Sequence, residues 1–194
     1  MDILIASGAD PNAWDKNGNT ALINASKKGG KLNTGAASFR LESHPVVQHV
    51  VELLLKVGAD TETRGTGGYT ALIIASREGR TEVVKLLIDK GADMSIRNNN
   101  GTTALIIALS NNHHEVMELL ISKGADPNAR NRSGDTALMY ASRHGRIEYV
   151  ELLLDAGADP TIKNRDGHTA LMLASLKDHT EVVKLLRAAI ALWR

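Results

Sequence analysis

Residues 70–93 read TALIIASREGRTEVVKLLIDKGAD, and versions of this phrase recur along most of the chain. The alanine that follows the threonine recurs at Ala21, Ala71, Ala104, Ala137 and Ala170. The glycine of the closing Gly-Ala-Asp recurs at Gly8, Gly58, Gly91, Gly124 and Gly157. Both series have spacings of 50, 33, 33 and 33 residues. The chain is therefore built from a 33-residue repeat, with 17 additional residues in one unit.

Each unit is predicted to contain two short helices. Thr70 is suited to begin the first one, because its hydroxyl can accept an amide hydrogen bond in the first turn. Leu72, Ile73 and Ala75 follow with helical rather than alternating spacing. The second helix has its apolar face at Val83, Val84, Leu86 and Leu87. The first helix is expected to stop where residues tolerate a left-handed backbone, at Gly29, Gly79, Asn112, Gly145 and Asp178.

One such helix pair cannot bury its apolar stripe alone, so the units are expected to stack. Leucines at the position of Leu72 would then form one buried row, made of Leu22, Leu72, Leu105, Leu138 and Leu171. Turn dipeptides such as Asn100-Gly101 and Ser133-Gly134 lie in the polar stretch between the second helix of one unit and the first helix of the next. The predicted fold is all-α, a solenoid of stacked helix-turn-helix units joined by β-turn or hairpin loops.

These units resemble ankyrin repeats, whose period is about 33 residues and whose phrase is T-P-L-H-x-A. The phrase here is T-A-L-I/M-x-A, and Gly-Ala-Asp-Pro-Asn occurs at 8–12 and 124–128. Alanine replaces the proline, and isoleucine or methionine replaces the histidine, which exchanges polar groups for apolar packing. The resemblance implies a non-catalytic module, or scaffold, that binds a protein partner on a concave surface made by the loop tips and the first helices.

The period also sets the expected boundaries of the units. Residues 1–12 form a partial unit that keeps only its second helix, which fits either a piece of a longer array or a frayed end. The insertion falls at about 30–46, between the two helices of the first complete unit. We expect a surface loop there, in which Phe39 packs on its own unit or the loop contacts a partner. The remaining units are 13–63, 64–96, 97–129, 130–162 and a C-terminal capping unit, 163–194.

Composition excludes several classes of function. There is no cysteine, so disulfides, thiol nucleophiles and cysteine-based zinc sites are ruled out. No apolar run approaches the roughly 20 residues that cross a bilayer, and we expect an intracellular, cytoplasmic protein without membrane contact. The seven histidines form no metal-binding motif, and no G-x-S-x-G or P-loop occurs. The sequence therefore predicts no enzyme, no metal and no cofactor, and a chain that is monomeric by itself.

Charge is placed unevenly on the surface that the resemblance assigns to partners. We take six positions in each of the five units from residue 13 onward, which in the second of them are Arg64, Thr66, Gly67, Tyr69, Arg77 and Glu78. Over the five units these positions hold twelve basic and three acidic residues, a balance of +9. The net charge of the chain is only +1, so the remaining residues sum to −8.

One of the six positions is especially uniform and holds Trp14, Arg64, Arg97, Arg130 and Lys163. Stacking would place these residues in a row about 10 Å apart, the spacing of packed helices. Such a row attracts an extended acidic segment, and Trp14 and Tyr69 would serve as aromatic anchors. The predicted partner-binding residues are Trp14, Arg64, Tyr69, Arg77, Arg97, Arg130, Arg132, Arg143, Lys163 and Arg165.

Three other interpretations stay open. The basic residues can be a solvated face that binds nothing, since exposed ion pairs contribute only about 0–1 kcal/mol. The same row can bind nucleic acid, although aromatic groups for base stacking are few. The array can also be the targeting arm of a larger enzyme or effector.

Overall fold

The protein is a series of paired helices stacked in the order of the sequence, as predicted. A computed structural model describes residues 10–27, 31–33, 38–40 and 44–193. The second helix expected within residues 1–12 therefore falls almost entirely outside the described residues. The elements are α1 (Ala21–Ser26), β1 (Lys31–Asn33), β2 (Ser38–Arg40), α2 (His44–Lys56), α3 (Ala71–Arg77), α4 (Thr81–Asp89), α5 (Ala104–Ser110), α6 (His114–Ser122), α7 (Ala137–Arg143), α8 (Ile147–Asp155), α9 (Ala170–Ser175) and α10 (Thr180–Leu192).

The first helix of each unit begins at the predicted threonine. Thr70 has an extended backbone, and its hydroxyl accepts the amide of Ile73 at 3.3 Å. The same bond, at 3.3–3.4 Å, is made by Thr20, Thr103, Thr136 and Thr169. These hydroxyls satisfy amides that lack a partner within the helix, so the threonine prediction is confirmed.

The predicted stop positions do have a left-handed backbone. Gly79 and Gly145 have φ angles of 68° and 67°. Asn112 and Asp178 hold the same place with φ angles of 65° and 58°, and are the described non-glycine residues with positive φ. The fifth position, Gly29, lies outside the described residues. The chain can therefore leave one helix and enter the next within a few residues.

The core is a continuous aliphatic stripe between the helices. Leu22, Leu72, Leu105 and Leu138 are almost completely buried, as the row of leucines predicted. Leu171, in the last unit, is only partly buried. The isoleucines and methionines that follow the leucines are also buried, with Ile73, Ile106 and Met139 each 1% exposed. Met172 occupies the same position in α9 and is 47% exposed, because no described unit covers it.

Side chains that precede the second helices join three of the units to the unit before them. The Nε2 atoms of His113 and His179 donate to the carbonyls of Arg77 and Arg143, at 2.8 and 3.1 Å. The buried Arg80 donates through Nη2 to the carbonyl of Lys27 at 3.0 Å. These bonds satisfy carbonyls at the ends of first helices.

The inserted segment contains a strand pair that the sequence did not predict. β1 and β2 are antiparallel, with Lys31 opposite Arg40 and Leu32 opposite Phe39. The next helix, α2, begins at His44, which lies inside the 30–46 range assigned to a loop. Where the Phe39 side chain packs lies outside what the structure describes. The insertion thus lengthens the turn between α1 and α2 with a short hairpin.

Truncating a leucine of the buried row should destabilise the whole stack. We expect Leu105→Ala to lower the free energy of unfolding by about 2–5 kcal/mol, because it removes packing between units and leaves a cavity. Leu192→Ala is the matched control, since Leu192 is 82% exposed and its loss should change stability by less than about 0.5 kcal/mol. Urea denaturation monitored by circular dichroism measures both, and equal effects would contradict the stacked core.

Candidate functional site

The candidate site is built from five loops that precede the first helices, here called fingers 1 to 5. Their residues are 14–19, 64–69, 97–102, 130–135 and 163–168. In finger 3 the Oδ1 atom of Asn98 accepts the amides of Asn100 and Thr102, at 2.9 and 3.0 Å. Asp15, Asn131 and Asn164 clamp fingers 1, 4 and 5 in the same way. These bonds give the tips a fixed shape.

Finger 2 has glycine where the other fingers carry Asp or Asn. A Cβ atom on Gly65 would lie 2.6 Å from Oδ1 of Asn19 and 3.2 Å from the carbonyl of Gly18, so finger 1 leaves no room for a side chain. The tip forms a single 3₁₀ turn instead, with φ angles of 73° at both Gly67 and Gly68. Finger 2 is therefore shaped by its glycines rather than by a side-chain clamp.

Backbone hydrogen bonds connect the fingers into a ladder. Within a finger the amide of Asn98 donates to the carbonyl of Thr102 at 3.0 Å, and the other four fingers have the equivalent bond. Between fingers, an amide of the later finger donates to the tip of the earlier one: Asn99 to Gly67, Arg132 to Asn100, and Arg165 to Ser133, at 2.9–3.0 Å. Fingers 1 and 2 are joined by the Thr66 hydroxyl, which donates to the carbonyl of Asn17. Equivalent residues are thereby held in register along the array.

The uniform basic position lies along this ladder. We call Arg64, Arg97, Arg130 and Lys163 the finger row; all four side chains are exposed, and Trp14, 58% exposed, holds the same position on finger 1. The Nη2 atom of Arg64 donates to the carbonyl of Arg97, and Nη2 of Arg130 donates to the carbonyl of Lys163 at 2.6 Å. The structure thus brings the row together on successive fingers instead of scattering it over unrelated surfaces.

A comparison with protein-family models agrees with this geometry. The model described as "Ankyrin repeats (3 copies)" matches residues 1–98, 43–131, 84–164 and 128–191. The chain belongs to the ankyrin repeat family. A comparison with curated proteins found no match. Ankyrin repeats are generally protein–protein interaction modules and are typically non-catalytic. The general function indicated for this array is therefore the binding of a protein partner.

The finger row of this ankyrin array contains two kinds of cation. Arg64 and Arg130 are braces, because their guanidinium groups bind backbone carbonyls of the next unit. Arg130 makes a further bond from Nε to the carbonyl of Gly134 at 3.2 Å. Among the described residues, the side chains of Arg97 and Lys163 have no hydrogen-bond or ion-pair partner. Within the described part of the chain, the charged groups of Arg97 and Lys163 are therefore the members of the row that are fully available to a ligand.

The other predicted arginines of the site also divide into two groups, those whose charge is partly paired within the fold and those whose charge is available to a ligand. Arg77 contacts Glu78 at 3.0 Å and lies over the half-buried ring of Tyr69, 5.2 Å from its centroid. Arg143 approaches Asp135 at 3.4 Å and lies over the ring of Tyr140. These two cations are therefore partly neutralised. The exposed side chains of Arg132 and Arg165, on fingers 4 and 5, have no such partner among the described residues.

Sequence reasoning missed that one acidic residue of the site is withdrawn from solvent. Asp135 is 6% exposed, and it accepts hydrogen bonds from Nδ2 of Asn164 at 2.7 Å and from Arg143. Its carboxylate therefore ties finger 4 to finger 5 and does not repel an anion at the surface. No sequence signal marked this burial, because the hydrogen bond joins residues 29 positions apart in neighbouring units. The cations at the surface of these two fingers are accordingly less opposed than the charge count suggested.

Positive charge accumulates near the end of α7. His144 is exposed, and slight desolvation of its ring, followed by the charges of Arg146 and Arg143, lowers its pKa below the ordinary value of 6.5. His179 and Lys177 act in the same direction. A lowered histidine pKa means that this region resists a further positive charge.

Membrane-spanning helices and metal-binding clusters are both absent from the described part of the chain. No helix there is long and apolar enough to cross a membrane. No group of three or more His, Cys, Asp or Glu side chains in that part could hold a metal ion.

The braces predict different effects for two arginines at the same position of neighbouring units. Arg130→Ala should lower the free energy of unfolding by about 1 kcal/mol, because it removes two bonds to carbonyls, one of them on the next unit. Arg97→Ala should change it by less than about 0.5 kcal/mol. Denaturant unfolding of both variants measures the difference, and equal losses would show that the braces do not stabilise the stack.

The lowered pKa of His144 predicts a loss of stability in acid. Because its pKa in the folded state lies below 6.5, the unfolded chain binds the proton more readily. This contribution to stability is present above pH 6.5 and is lost as the pH falls below it. His144→Gln should therefore lose stability less steeply than the parent chain over this acidic range. Identical pH dependences in chemical denaturation would contradict the assignment.

Proposed function

We propose that the fingers bind an acidic segment of a protein partner. Family membership supports a protein partner in general, and the charge of the surface supports an acidic one. The observation that carries the proposal is a set of exposed cationic groups on adjacent fingers that have no partner among the described residues: Arg97, Arg132, Lys163 and Arg165. The charged groups of these four residues make no hydrogen bond or ion pair within the described residues, which leaves them free to bind a ligand.

The spacing of the cations favours an extended ligand over a single ion. At physiological salt the screening length is about 8 Å, close to the distance between neighbouring units, so the fields of the row partly add. A potential of this kind raises the rate at which an acidic chain is captured. Arginine also offers a planar pair of donors that matches a carboxylate, which adds affinity and orientation.

The first two fingers contribute aromatic side chains to the same surface. Trp14 is largely exposed at the start of the row, whereas Tyr69 has one face covered by Arg77. Tryptophan and arginine are the residue types that most often dominate binding energy at interfaces. Trp14 is therefore the aromatic anchor in this proposal, with Tyr69 and Arg77 acting together beside it.

Charge reversal at the available cationic groups tests the proposal without breaking a brace. The double variant Arg97→Glu, Lys163→Glu should weaken binding of an acidic peptide of about 12 residues by at least about tenfold, or about 1.4 kcal/mol. The peptide is fluorescein-labelled, glutamate-rich and unstructured, and its binding is followed by anisotropy at physiological salt.

The matched control is Lys56→Glu, Lys90→Glu, which makes the same change in net charge at exposed lysines at the ends of α2 and α4. It should leave affinity within about twofold if binding is local to the fingers. Equal weakening by the two double variants would mean that only net charge matters. If the folded Arg97→Glu, Lys163→Glu variant binds the peptide as tightly as the parent chain does, the fingers are not the binding site.

A further inference from the structure

The hydrogen bonds of the finger ladder fix a repeat distance for the finger row. Each finger supplies two chain segments, joined within the finger by bonds such as Asn98 to Thr102 and to the next finger by bonds such as Arg132 to Asn100. Segments joined by backbone hydrogen bonds lie about 4.8 Å apart. Two such steps place equivalent residues on successive fingers about 9.5 Å apart. Packed helices, at about 8–10 Å, give the same period independently.

A ligand that follows the row must offer acidic groups at this period and on one side. A β-strand rises about 3.3 Å per residue, so the residue three positions further on lies about 10 Å away, but its side chain points to the opposite face. An α-helix rises about 1.5 Å per residue and needs between six and seven residues, which is not a whole number of its turns. Polyproline II rises about 3.1 Å with three residues per turn, so every third residue returns to the same side after about 9.3 Å.

Polyproline II therefore matches the row both in distance and in direction. Resting on the function proposed above, we infer that the partner segment is a polyproline II stretch with an acidic residue at every third position. Four acidic residues, at i, i+3, i+6 and i+9, would meet Arg64, Arg97, Arg130 and Lys163 in turn. The remaining positions of the ligand face solvent or the neighbouring loops and tolerate proline.

The braces make this row a better template than four mobile side chains would be. Arg64 and Arg130 have their guanidinium groups held against the next unit, so less conformational entropy is lost when they bind. Each still has unused N–H donors, since guanidinium carries five. Arg97 and Lys163 alternate with the braces and can adjust to the ligand. Polyproline II is itself an extended conformation that unfolded chains already populate, which lowers the cost on the partner's side.

The experiment compares three proline-rich peptides with the same composition and four glutamates each. The glutamates are placed at every second, every third or every fourth position, and binding to the full chain is measured by fluorescence anisotropy. We expect the third-position peptide to bind at least about fivefold more tightly than either of the others. Replacing the prolines of this peptide with glycine keeps the spacing of the glutamates but should weaken binding, because the peptide loses its preformed polyproline II conformation. The preference should disappear in the Arg97→Glu, Lys163→Glu variant.

The outcomes separate this inference from the function on which it rests. Equal affinity for the three spacings, or tightest binding of another spacing, would overturn the polyproline II register but leave an acidic segment as the ligand. Glycine peptides that bind as tightly as proline peptides would also overturn it. If none of the peptides binds the parent chain, the proposed function fails as well.

Discussion

The register between neighbouring units is the constraint on which the rest of the structure depends. Backbone bonds join fingers 2 to 5, the Thr66 hydroxyl joins finger 2 to finger 1, and side chains before the second helices join three of the helix pairs to the previous one. The two sets of bonds lie at different places along the unit, so a unit that slipped or tilted would break both. The buried leucine row supplies the energy of stacking, and these directional bonds decide how the units are placed.

From this register follows the separation of charge in a nearly neutral chain. Each of the last four units contributes one residue to the finger row, so a basic residue repeated every 33 positions becomes a line of cations. Alternate members of that line then serve the fold, because Arg64 and Arg130 lie within reach of carbonyls on the next finger. The same interactions that stabilise the stack therefore preorganise the surface that we assign to a partner. Stability and recognition are coupled at these two residues, whereas Arg97 and Lys163 are available for recognition alone.

Features that repeat in the sequence were predicted, and those that depend on a contact between units were not. Threonine caps, stop positions and the leucine row follow from local chemistry and from the period; the caps are confirmed, as are the four described stop positions and four of the five leucines, whereas Leu171 is only partly buried. The braces of Arg64 and Arg130 could not be anticipated, since their acceptors are carbonyls 33 residues away. The burial of Asp135 depends likewise on Asn164 in the next finger. The hairpin in the insertion was not predicted, because strands of three residues are too short to show an alternation of apolar and polar residues.

The spacing of the finger row can be measured directly, because the chain has no native cysteine to interfere with labelling. Cysteines introduced at Arg97 and Lys163, and separately at Arg64 and Lys163, would carry spin labels for electron–electron distance measurement. The account predicts narrow distance distributions centred at about 19 Å for the first pair and about 29 Å for the second. These values are two and three times the distance of about 9.5 Å between equivalent residues on successive fingers. Broad distributions, or distances that do not increase by one step, would contradict a row held in register by the stack.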